Sequence, residues 1–343
     1  MIEGRQIRVL VVDDSAFARK VLRESLSRDP RLEVIATARD GLEALEKIAE
    51  LKPDVVTLDL VMPNLDGIGV LRSLPAENAP RVVVVSISDA DSDLGIEALQ
   101  SGAVDLVHKP TPLATDRLYD LGDELIAKVI GAADARRPAP PSVVDRPLRA
   151  PPPAGVIRLI VVGTSTGGPQ ALTRLLSALP RDLPCAVAVA LHIPAGYTDA
   201  LARRLDATCL VDVFEATDGA VLPPGAVAIA RGGMHMSIRA ENGGLVTRLD
   251  SRPLVAPFCP SVDVLFASAA EALGPAVMGV VLTGMGDDGV EGARAINRAG
   301  GRILTEAESS CVVYGMPRAI VEAGLSNGHA DIDRLAQVIL QNL

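Results

Sequence analysis

The sequence lacks long hydrophobic runs. Its apolar stretches are about 4 to 8 residues long, whereas a helix that crosses a bilayer needs roughly 18 or more. The amino terminus also lacks the charged and then apolar layout of a secretory signal peptide. These absences predict a cytoplasmic protein with no direct membrane insertion.

Cysteine pairs with metal-site spacing and an excess of basic residues are also missing. The four cysteines show no CxxC spacing, so we expect free thiols and neither a structural disulfide nor a zinc site. The formal net charge is −10, with an acidic excess in both halves of the chain. A protein of this charge is not expected to bind nucleic acid.

The composition is that of a globular protein. The chain has 343 residues, 48% of them hydrophobic, and a mean hydropathy of +0.30. A chain of that length predicts about two domains. Residues 131–155 are rich in proline, alanine and arginine without apolar periodicity, which predicts a semi-extended linker. We therefore expect one domain over residues 5–130 and another over residues 156–343.

Strand-like and helical patterns alternate through the first domain. The strand-like runs are residues 7–12, 32–38, 54–58, 81–85 and 104–107, with amphipathic segments between them. Five βα units predict a doubly wound parallel sheet. In such a sheet, binding and catalytic groups collect beyond the carboxyl ends of the strands.

Polar residues follow four of these five strands. They are Asp13, Asp14, Asp59, Ser86 and Lys109. Three converging carboxylates repel one another, and an all-oxygen ligand set favours Mg²⁺ as the cation that holds them ionised. An aspartate beside Mg²⁺ and a lysine can accept a phosphoryl group, because both cations neutralise the charge on the transferring oxygens. A single strand-end aspartate could be a helix cap, but the whole set favours a phosphoacceptor site.

This part of the sequence resembles response-regulator receiver domains. The matching segments are Val11-Val12-Asp13-Asp14-Ser15, Leu58-Asp59-Leu60-Val61-Met62-Pro63, Asp66-Gly67 and His108-Lys109-Pro110. The resemblance implies a flavodoxin-like fold with an Mg²⁺ pocket. It makes Asp59 the phosphorylation site, with Asp13 and Asp14 completing the metal ligands, Ser86 the switch hydroxyl and Lys109 the phosphate partner.

Two details of the receiver resemblance concern the switch. Lys109-Pro110 is similar to the family's cis peptide bond. Leu106 departs from the family, because relatives usually have Phe or Tyr there. An aromatic rotamer switch is therefore not expected in this chain.

The second domain also alternates strands and helices. Strand-like runs at 156–163, 185–192, 277–283 and 301–305 and helical patterns at 170–179, 263–273 and 290–299 predict a second doubly wound α/β sheet, Rossmann-like in type. Residues 221–236 are rich in glycine and proline with short β-prone runs. They predict an antiparallel appendage such as a hairpin.

A glycine-rich turn holding Ser165 follows the first strand of this domain. The segment Val162-Gly163-Thr164-Ser165-Thr166-Gly167-Gly168-Pro169 opens a helix with proline, which suits a first helical position. Glycines allow a sharp turn, and the helix start aims N–H groups at it. That geometry favours a nucleophile. A phosphate-cradling loop or a plain tight turn are the alternatives.

A base and an acid follow two other strands of the same sheet. His192 ends the second strand, and Asp287 and Asp288 follow the third. With Ser165 they form the set needed for acyl transfer, in which the imidazole activates the hydroxyl and a carboxylate orients the imidazole. Periodicity does not choose between the two aspartates. The backbone N–H groups of Thr166 and Met285 could form the oxyanion hole, while His235 is expected to be exposed or to cap a helix.

The whole chain resembles the chemotaxis response-regulator methylesterases, or protein-glutamate methylesterases. Besides the serine turn, the matching segments are Leu282-Thr283-Gly284-Met285-Gly286-Asp287-Asp288-Gly289, Pro260-Ser261-Val262-Asp263 and Tyr314-Gly315-Met316-Pro317. The resemblance makes Ser165, His192 and Asp288 the triad, because the family's acid directly precedes the glycine. Two segments depart from the family pattern, residues 191–194 around His192 and residues 255–259, which lack the usual basic residues.

This resemblance implies an activity and its partners. We expect hydrolysis of glutamyl methyl esters on methyl-accepting chemoreceptors with release of methanol, deamidation of receptor glutamines, and phosphorylation by a chemotaxis histidine kinase. The esterase site is expected to need no cofactor. In the resting state the receiver is expected to cover the Ser165 edge. The alternatives are a phosphorylation-dependent receptor-binding protein with a silent hydrolase site and a DNA-binding regulator, for which no basic face is visible.

Overall fold

The structure, a computed structural model, describes residues 5–75, 78–86, 92–109, 117–135, 156–251 and 258–343. The chain divides into two compact units, Met1–Ala135 and Arg136–Leu343. From residue 136 onward the predicted linker lies outside the described residues, as does Pro110 of the predicted cis peptide bond. The limits 5–130 and 156–343 stay predictions.

The first unit is a five-stranded parallel sheet with intervening helices. Its elements are β1 (Ile7–Val12), α1 (Ala16–Leu26), β2 (Leu32–Ala38), α2 (Gly41–Leu51), β3 (Val55–Leu58), α3 (Gly67–Ser73), β4 (Arg81–Ser86), α4 (Ser92–Gln100), β5 (Asp105–His108) and α5 (Arg117–Ala133). The strand order is β2-β1-β3-β4-β5, the flavodoxin-like order. The doubly wound sheet predicted from the sequence is confirmed.

Apolar strands and polar caps explain these boundaries. Residues 9–12 of β1 and 82–85 of β4 are at most 1% exposed, as expected for strands covered by helices on both faces. Three helices begin at a residue whose side chain accepts an N–H from the first turn: Ser15, Asp40 and Asp66. Such caps satisfy backbone donors that have no partner within the helix.

The second unit is built on a seven-stranded sheet. Its elements are β6 (Leu159–Thr164), α6 (Gly168–Ser177), β7 (Ala186–Leu191), α7 (Tyr197–Thr208), β8 (Asp212–Glu215), β9 (Ala226–Ile229), β10 (His235–Glu241), β11 (Gly244–Asp250), α8 (Val262–Leu273), β12 (Val277–Val281), α9 (Val290–Arg298), β13 (Arg302–Glu306), α10 (Met316–Glu322), β14 (Gly328–Ala330) and α11 (Ile332–Leu340). The strand order is β14-β13-β12-β6-β7-β9-β8, and every pair is parallel. The predicted Rossmann-like α/β class is confirmed.

The strand order explains where a site can form. The chain proceeds from β6 to β7 on one side of the sheet and later returns to β12 on the other side of β6. This change of direction is the switch point at which doubly wound sheets bind ligands. The carboxyl ends of β12, β6 and β7 therefore share one crevice.

The predicted position of the antiparallel hairpin, residues 221–236, is wrong. A two-stranded antiparallel hairpin exists, but it is formed by β10 and β11, which lie largely beyond residue 236. Within the predicted segment, β9 joins the main sheet beside β7. The short run Ala226–Ile229 is fully buried, and the glycine and proline around it mark turns rather than a hairpin. None of the described helices is both long and apolar enough to traverse a bilayer.

Candidate active sites

An acidic pocket lies at the carboxyl edge of the first sheet. Asp13, Asp14 and Asp59 each direct one carboxylate oxygen into it, and these atoms lie within 4.8 Å of one another. Asp13 and Asp59 are buried, whereas Asp14 is exposed. Because Mg²⁺ prefers oxygen ligands and keeps several waters, an all-carboxylate set that opens to solvent at Asp14 fits this ion.

Lys109 crosses the same pocket. Its Nζ lies 2.9 Å from Oδ2 of Asp59 and 2.5 Å from Oδ2 of Asp13. Burial alone would lower the pKa of Lys109, but hydrogen bonds and charge from the two aspartates outweigh it and raise the pKa above its ordinary value. Burial raises the pKa of Asp13, and Lys109 offsets this only in part. Lys109 is thus a fixed positive charge beside Asp59.

Ser86 lies next to this lysine through the backbone. It is buried at the end of β4 and pairs with His108 of β5. Its carbonyl accepts the N–H of Lys109. The structure therefore brings together all five polar residues of the predicted receiver site. Leu106 is fully buried.

The turn after β6 holds Ser165. Thr164 pairs with Leu191 of β7, so Ser165 and His192 leave the sheet side by side. Gly167 has a φ of +79° and precedes α6, which has a proline in its first turn. A Cβ at Gly167 would lie 2.7 Å from Cβ of Val312, so both the positive φ and the close packing require glycine. The predicted strand-to-helix turn is present.

His192 is held by Asp288. Its Nε2 lies 2.8 Å from Oδ2 of the carboxylate. Its Nδ1 is buried and has no hydrogen-bond partner among the described residues. In the part of the chain that the structure describes there is no hydrogen bond between the Ser165 hydroxyl and His192, and such catalytic contacts often tighten only when substrate binds. Because Nε2 is bonded to Asp288, Nδ1 is the ring atom left to act as a base.

The amino terminus of α8 surrounds Asp288. The carboxylate accepts N–H groups from Val262 at 2.7 Å and Asp263 at 3.0 Å, and the hydroxyl of Ser261 at 3.0 Å. Burial raises the pKa of Asp288, but the bonds from His192 and from the helix outweigh it, so the pKa lies below its ordinary value. Helix N-termini favour negative charge. The acid is therefore held ionised.

The neighbouring aspartates have other positions. Asp287 is exposed, so the geometry joins His192 to Asp288 and not to Asp287. Asp263 of α8 accepts N–H groups from Gly289 and Gly292 at the start of α9. Burial and the charge of Asp288 raise the pKa of Asp263. Asp288, just before α9, thus caps the start of α8, and Asp263 of α8 caps the start of α9.

Hydrogen bonds hold the two peptide groups that carry the predicted oxyanion donors. The carbonyl of Ser165 accepts the N–H of Gly168 at 2.7 Å, and the carbonyl of Gly284 accepts those of Gly315 and Met316. Because a trans peptide directs its N–H opposite to its carbonyl, these bonds fix the directions of the Thr166 and Met285 N–H groups.

Near the site, His235 contradicts its prediction and Phe258 makes a contact that the sequence does not predict. His235 is 3% exposed, so the prediction that it is exposed or caps a helix is wrong. It begins β10, and burial lowers its pKa despite the charges of Asp250 and Asp288. The ring of Phe258 stacks on His192 with centroids 4.3 Å apart and planes 11° apart. No periodicity marks Phe258, whereas the serine of the Pro-Ser-Val-Asp run is a helix N-cap signal that the sequence carries.

Comparisons with known proteins match both units. The profile of the CheB methylesterase family matches residues 160–339, and that of the response regulator receiver domain matches residues 9–120. A protein-glutamate methylesterase/protein-glutamine glutaminase of Myxococcus xanthus is 60% identical over 98% of both chains. One from Geobacillus kaustophilus is 44% identical over 98% of this chain and 99% of its own.

A solved structure supports the same likeness. The CheB methylesterase catalytic domain of Thermotoga maritima is 35% identical and superposes with a TM-score of 0.53. It covers 54% of this chain and 98% of its own length. The match accounts for the second unit by fold as well as by sequence.

Proposed function

The chain belongs to the CheB methylesterase family with a response regulator receiver domain, and we propose that it is a phosphorylation-activated protein-glutamate methylesterase. Its substrates are glutamyl methyl esters on methyl-accepting chemoreceptors, and its product is methanol. Relatives also carry the name protein-glutamine glutaminase. We therefore extend the proposal to receptor glutamines, which release ammonia by the same acyl chemistry.

The proposed reaction uses Ser165, His192 and Asp288. Nδ1 of His192 takes the proton of the Ser165 hydroxyl as the oxygen attacks the ester carbonyl. Asp288 holds Nε2 and stabilises the imidazolium. The ring then returns the proton to the departing methoxide, which leaves as methanol. A water molecule hydrolyses the acyl-serine by the same proton route and restores Ser165.

The N–H groups of Thr166 and Met285 are proposed to stabilise the oxyanion. Negative charge develops on the ester oxygen only as the tetrahedral intermediate forms, so donors fixed beforehand favour the transition state over the substrate. The carbonyl bonds of Ser165 and Gly284 supply that fixation. No cofactor is proposed for this step.

The receiver is proposed to control this reaction. A chemotaxis histidine kinase donates a phosphoryl group to Asp59, and Lys109 neutralises part of the phosphoryl charge. Asp13, Asp14 and Asp59 would hold Mg²⁺, which when bound supplies further positive charge for the transfer. Ser86 is the proposed switch hydroxyl. We infer a cytoplasmic location, and the proposal includes neither nucleic acid nor direct membrane insertion.

The single observation that supports the esterase proposal is the His192–Asp288 pair beside the Ser165 turn. The test incubates the protein with radiomethylated receptor membranes and counts released methanol. Wild type should release methanol, and Ser165→Ala should release none while Asp59 is still phosphorylated. If wild type releases no methanol, the protein would instead be a phosphorylation-dependent receptor-binding protein with a silent hydrolase site. If Ser165→Ala releases as much methanol as wild type, Ser165 is not the nucleophile.

A further inference from the structure

Thr283 lies directly behind the turn that holds Ser165. It follows β12, is 1% exposed, and is not part of the proposed triad or oxyanion hole. Its carbonyl accepts the N–H of Ser165 at 3.1 Å and the hydroxyl of Thr164 at 2.7 Å. One residue just beyond the neighbouring strand β12 therefore holds the backbone on which the serine is carried.

The side chain of Thr283 contacts the residue after Ser165. Its hydroxyl accepts the N–H of Val313 at 2.9 Å and has two carbonyl acceptors within reach, Thr166 at 3.0 Å and Val313 at 3.3 Å. The shorter distance favours donation to Thr166. The peptide group between Ser165 and Thr166 carries the proposed oxyanion donor. Thr283 thus fixes the peptide before that group through its carbonyl and the peptide after it through its hydroxyl.

Glu306 supports Thr283 from the adjacent strand β13. This carboxyl is 1% exposed. It accepts the N–H of Thr283 at 2.8 Å and the hydroxyl of Ser310 at 2.9 Å. The donor and acceptor groups of Thr283 are therefore bonded to three chain segments: residues 164–166, Glu306 and Val313. A loss of its hydroxyl would leave the buried carbonyl of Thr166 without this bond.

We propose that Thr283 is a positioning residue for the nucleophile turn. Its hydroxyl holds the peptide between Thr166 and Gly167, so that the N–H of Thr166, in the peptide before it, points at the developing oxyanion. The inference rests on the proposed esterase function. If the hydrogen bond from the Thr283 hydroxyl were lost, a small rotation of the Ser165–Thr166 peptide would leave the methyl ester bound but turn the N–H of Thr166 away from the oxyanion. Since misplacement of about 1 Å can cost roughly 100-fold in rate, the effect should fall on kcat rather than on KM.

The decisive variant is Thr283→Val, which removes the hydroxyl and keeps the branched shape. We expect kcat for methanol release to fall by about 10- to 100-fold with KM within a factor of about two, and Thr283→Ser to restore most of the rate. Thr247→Val is the matched control. Its hydroxyl is equally buried and also donates to a backbone carbonyl, that of Thr217 at 2.8 Å, but it lies in β11.

A second measurement separates this inference from the proposed function. A fluorophosphonate labels an activated serine whether or not receptors are substrates, so its rate on Ser165 should fall in Thr283→Val and recover in Thr283→Ser. If wild type is labelled but releases no methanol, the proposed function fails and the labelling rates still decide the role of Thr283. Thr283→Ala replaces Thr283→Val if the latter does not fold.

Three results would overturn the positioning role. The first is a Thr283→Val protein with the wild-type kcat and labelling rate. The second is a Thr283→Ser protein as slow as Thr283→Val, which would mean that shape and not the hydroxyl matters. The third is an equal loss in Thr247→Val, which would mean that any buried hydroxyl of this unit affects the rate through general stability.

Discussion

His192 and Asp288 are joined at 2.8 Å, and the acid is held by a helix to which it does not belong. Asp288 lies just before α9, yet its oxygens accept N–H groups from the first turn of α8. Rotation of the carboxylate would break those bonds as well as the bond to His192. The orientation of the imidazole is therefore coupled to the packing of α8 against α9.

We predict that Asp288→Asn lowers kcat by about 10⁴-fold and that His192→Ala lowers it further. An amide would place a second set of N–H donors against those of α8, and it would favour the wrong tautomer of His192. Asp287→Asn is the matched control, because Asp287 is adjacent and exposed, and it should keep the wild-type rate. Methanol release by the three variants is the measurement. Similar rates for both asparagine variants would remove Asp288 from the triad.

Much of the fold could be predicted because strand composition is a local signal. The runs at 7–12 and 32–38 match β1 and β2 residue for residue, and the other predicted strands differ mainly at their ends. The short strands β8 and β14 were missed. Strand β8 has four residues, of which one is exposed, one buried and two half-buried, and β14 has three residues, so neither carries enough periodicity to be recognised.

The site was predictable where chemistry follows a strand directly. Ser165 and His192 come immediately after β6 and β7, and the residue types alone suggested their roles. Residue spacing does not choose between Asp287 and Asp288, and the family resemblance favours Asp288. The physical reason for that choice is the start of α8, which is distant in sequence. The burial of His235 and the stacking of Phe258 also depend on long-range packing, for which sequence spacing gives no signal.

A second prediction concerns the acidic pocket. Acetyl phosphate with Mg²⁺ should label wild type with a base-labile phosphate, and Asp59→Asn should not be labelled. Removal of Mg²⁺ with EDTA should also abolish labelling, because the clustered carboxylates would otherwise repel the donor. Asp66→Asn is the control, since Asp66 caps α3 outside the metal cluster. Label found on Ser15 or Ser86 by mass spectrometry would refute the assignment of Asp59.

Gly284 provides a steric test of the nucleophile turn. A Cβ there would lie 2.4 Å from Sδ of Met316 and 2.9 Å from Cβ of Ser165. Gly284→Ala should therefore displace Ser165 and lower kcat by about 100-fold or more. Gly244→Ala is the control, because its Cβ would meet nothing closer than 3.7 Å. Equal rates for the two alanine variants would show that the turn tolerates the displacement.

Glu306 should make stability fall as pH rises. Burial raises its pKa in the folded state, and its hydrogen bonds offset this only in part. Below about pH 4.3, the ordinary glutamate value, both states are protonated and the carboxyl imposes no penalty. Above it the unfolded state loses the proton first, so the free energy of unfolding decreases until pH exceeds the folded value.

Urea unfolding between pH 4 and pH 8 checks this sign. Glu306→Gln cannot ionise, so its free energy of unfolding should lose less than that of wild type as pH rises. The amide itself will shift the whole curve, but a shift that is constant with pH does not change the slope. Glu308→Gln, at an exposed position, should follow wild type. Parallel curves for wild type and Glu306→Gln would contradict the prediction.

The last prediction concerns control of the catalytic unit by the receiver. The Thermotoga maritima catalytic domain is a separately solved structure that matches the second unit, so residues 156–343 should fold as a fragment. We expect the fragment to release methanol without a phosphodonor and the full chain to be slower. A tethered receiver acts at a high effective concentration, and a coupling of about 1–3 kcal/mol corresponds to roughly 5- to 150-fold.

Acetyl phosphate should reduce the difference in methanol-release rate between the fragment and the full chain only when Asp59 is present. A phosphoryl group on Asp59, like a bound ligand, shifts an equilibrium only if its free energy differs between the two states. Asp59→Asn in the full chain should therefore stay slow with or without the donor. Leu106 offers no aromatic switch, and its carbonyl accepts Lys128 of α5 at 2.6 Å, so the signal is expected to leave the pocket through Ser86. Equal rates for the fragment and the unphosphorylated full chain would exclude inhibition by the receiver. The receiver would then have to act by docking the enzyme to its receptor.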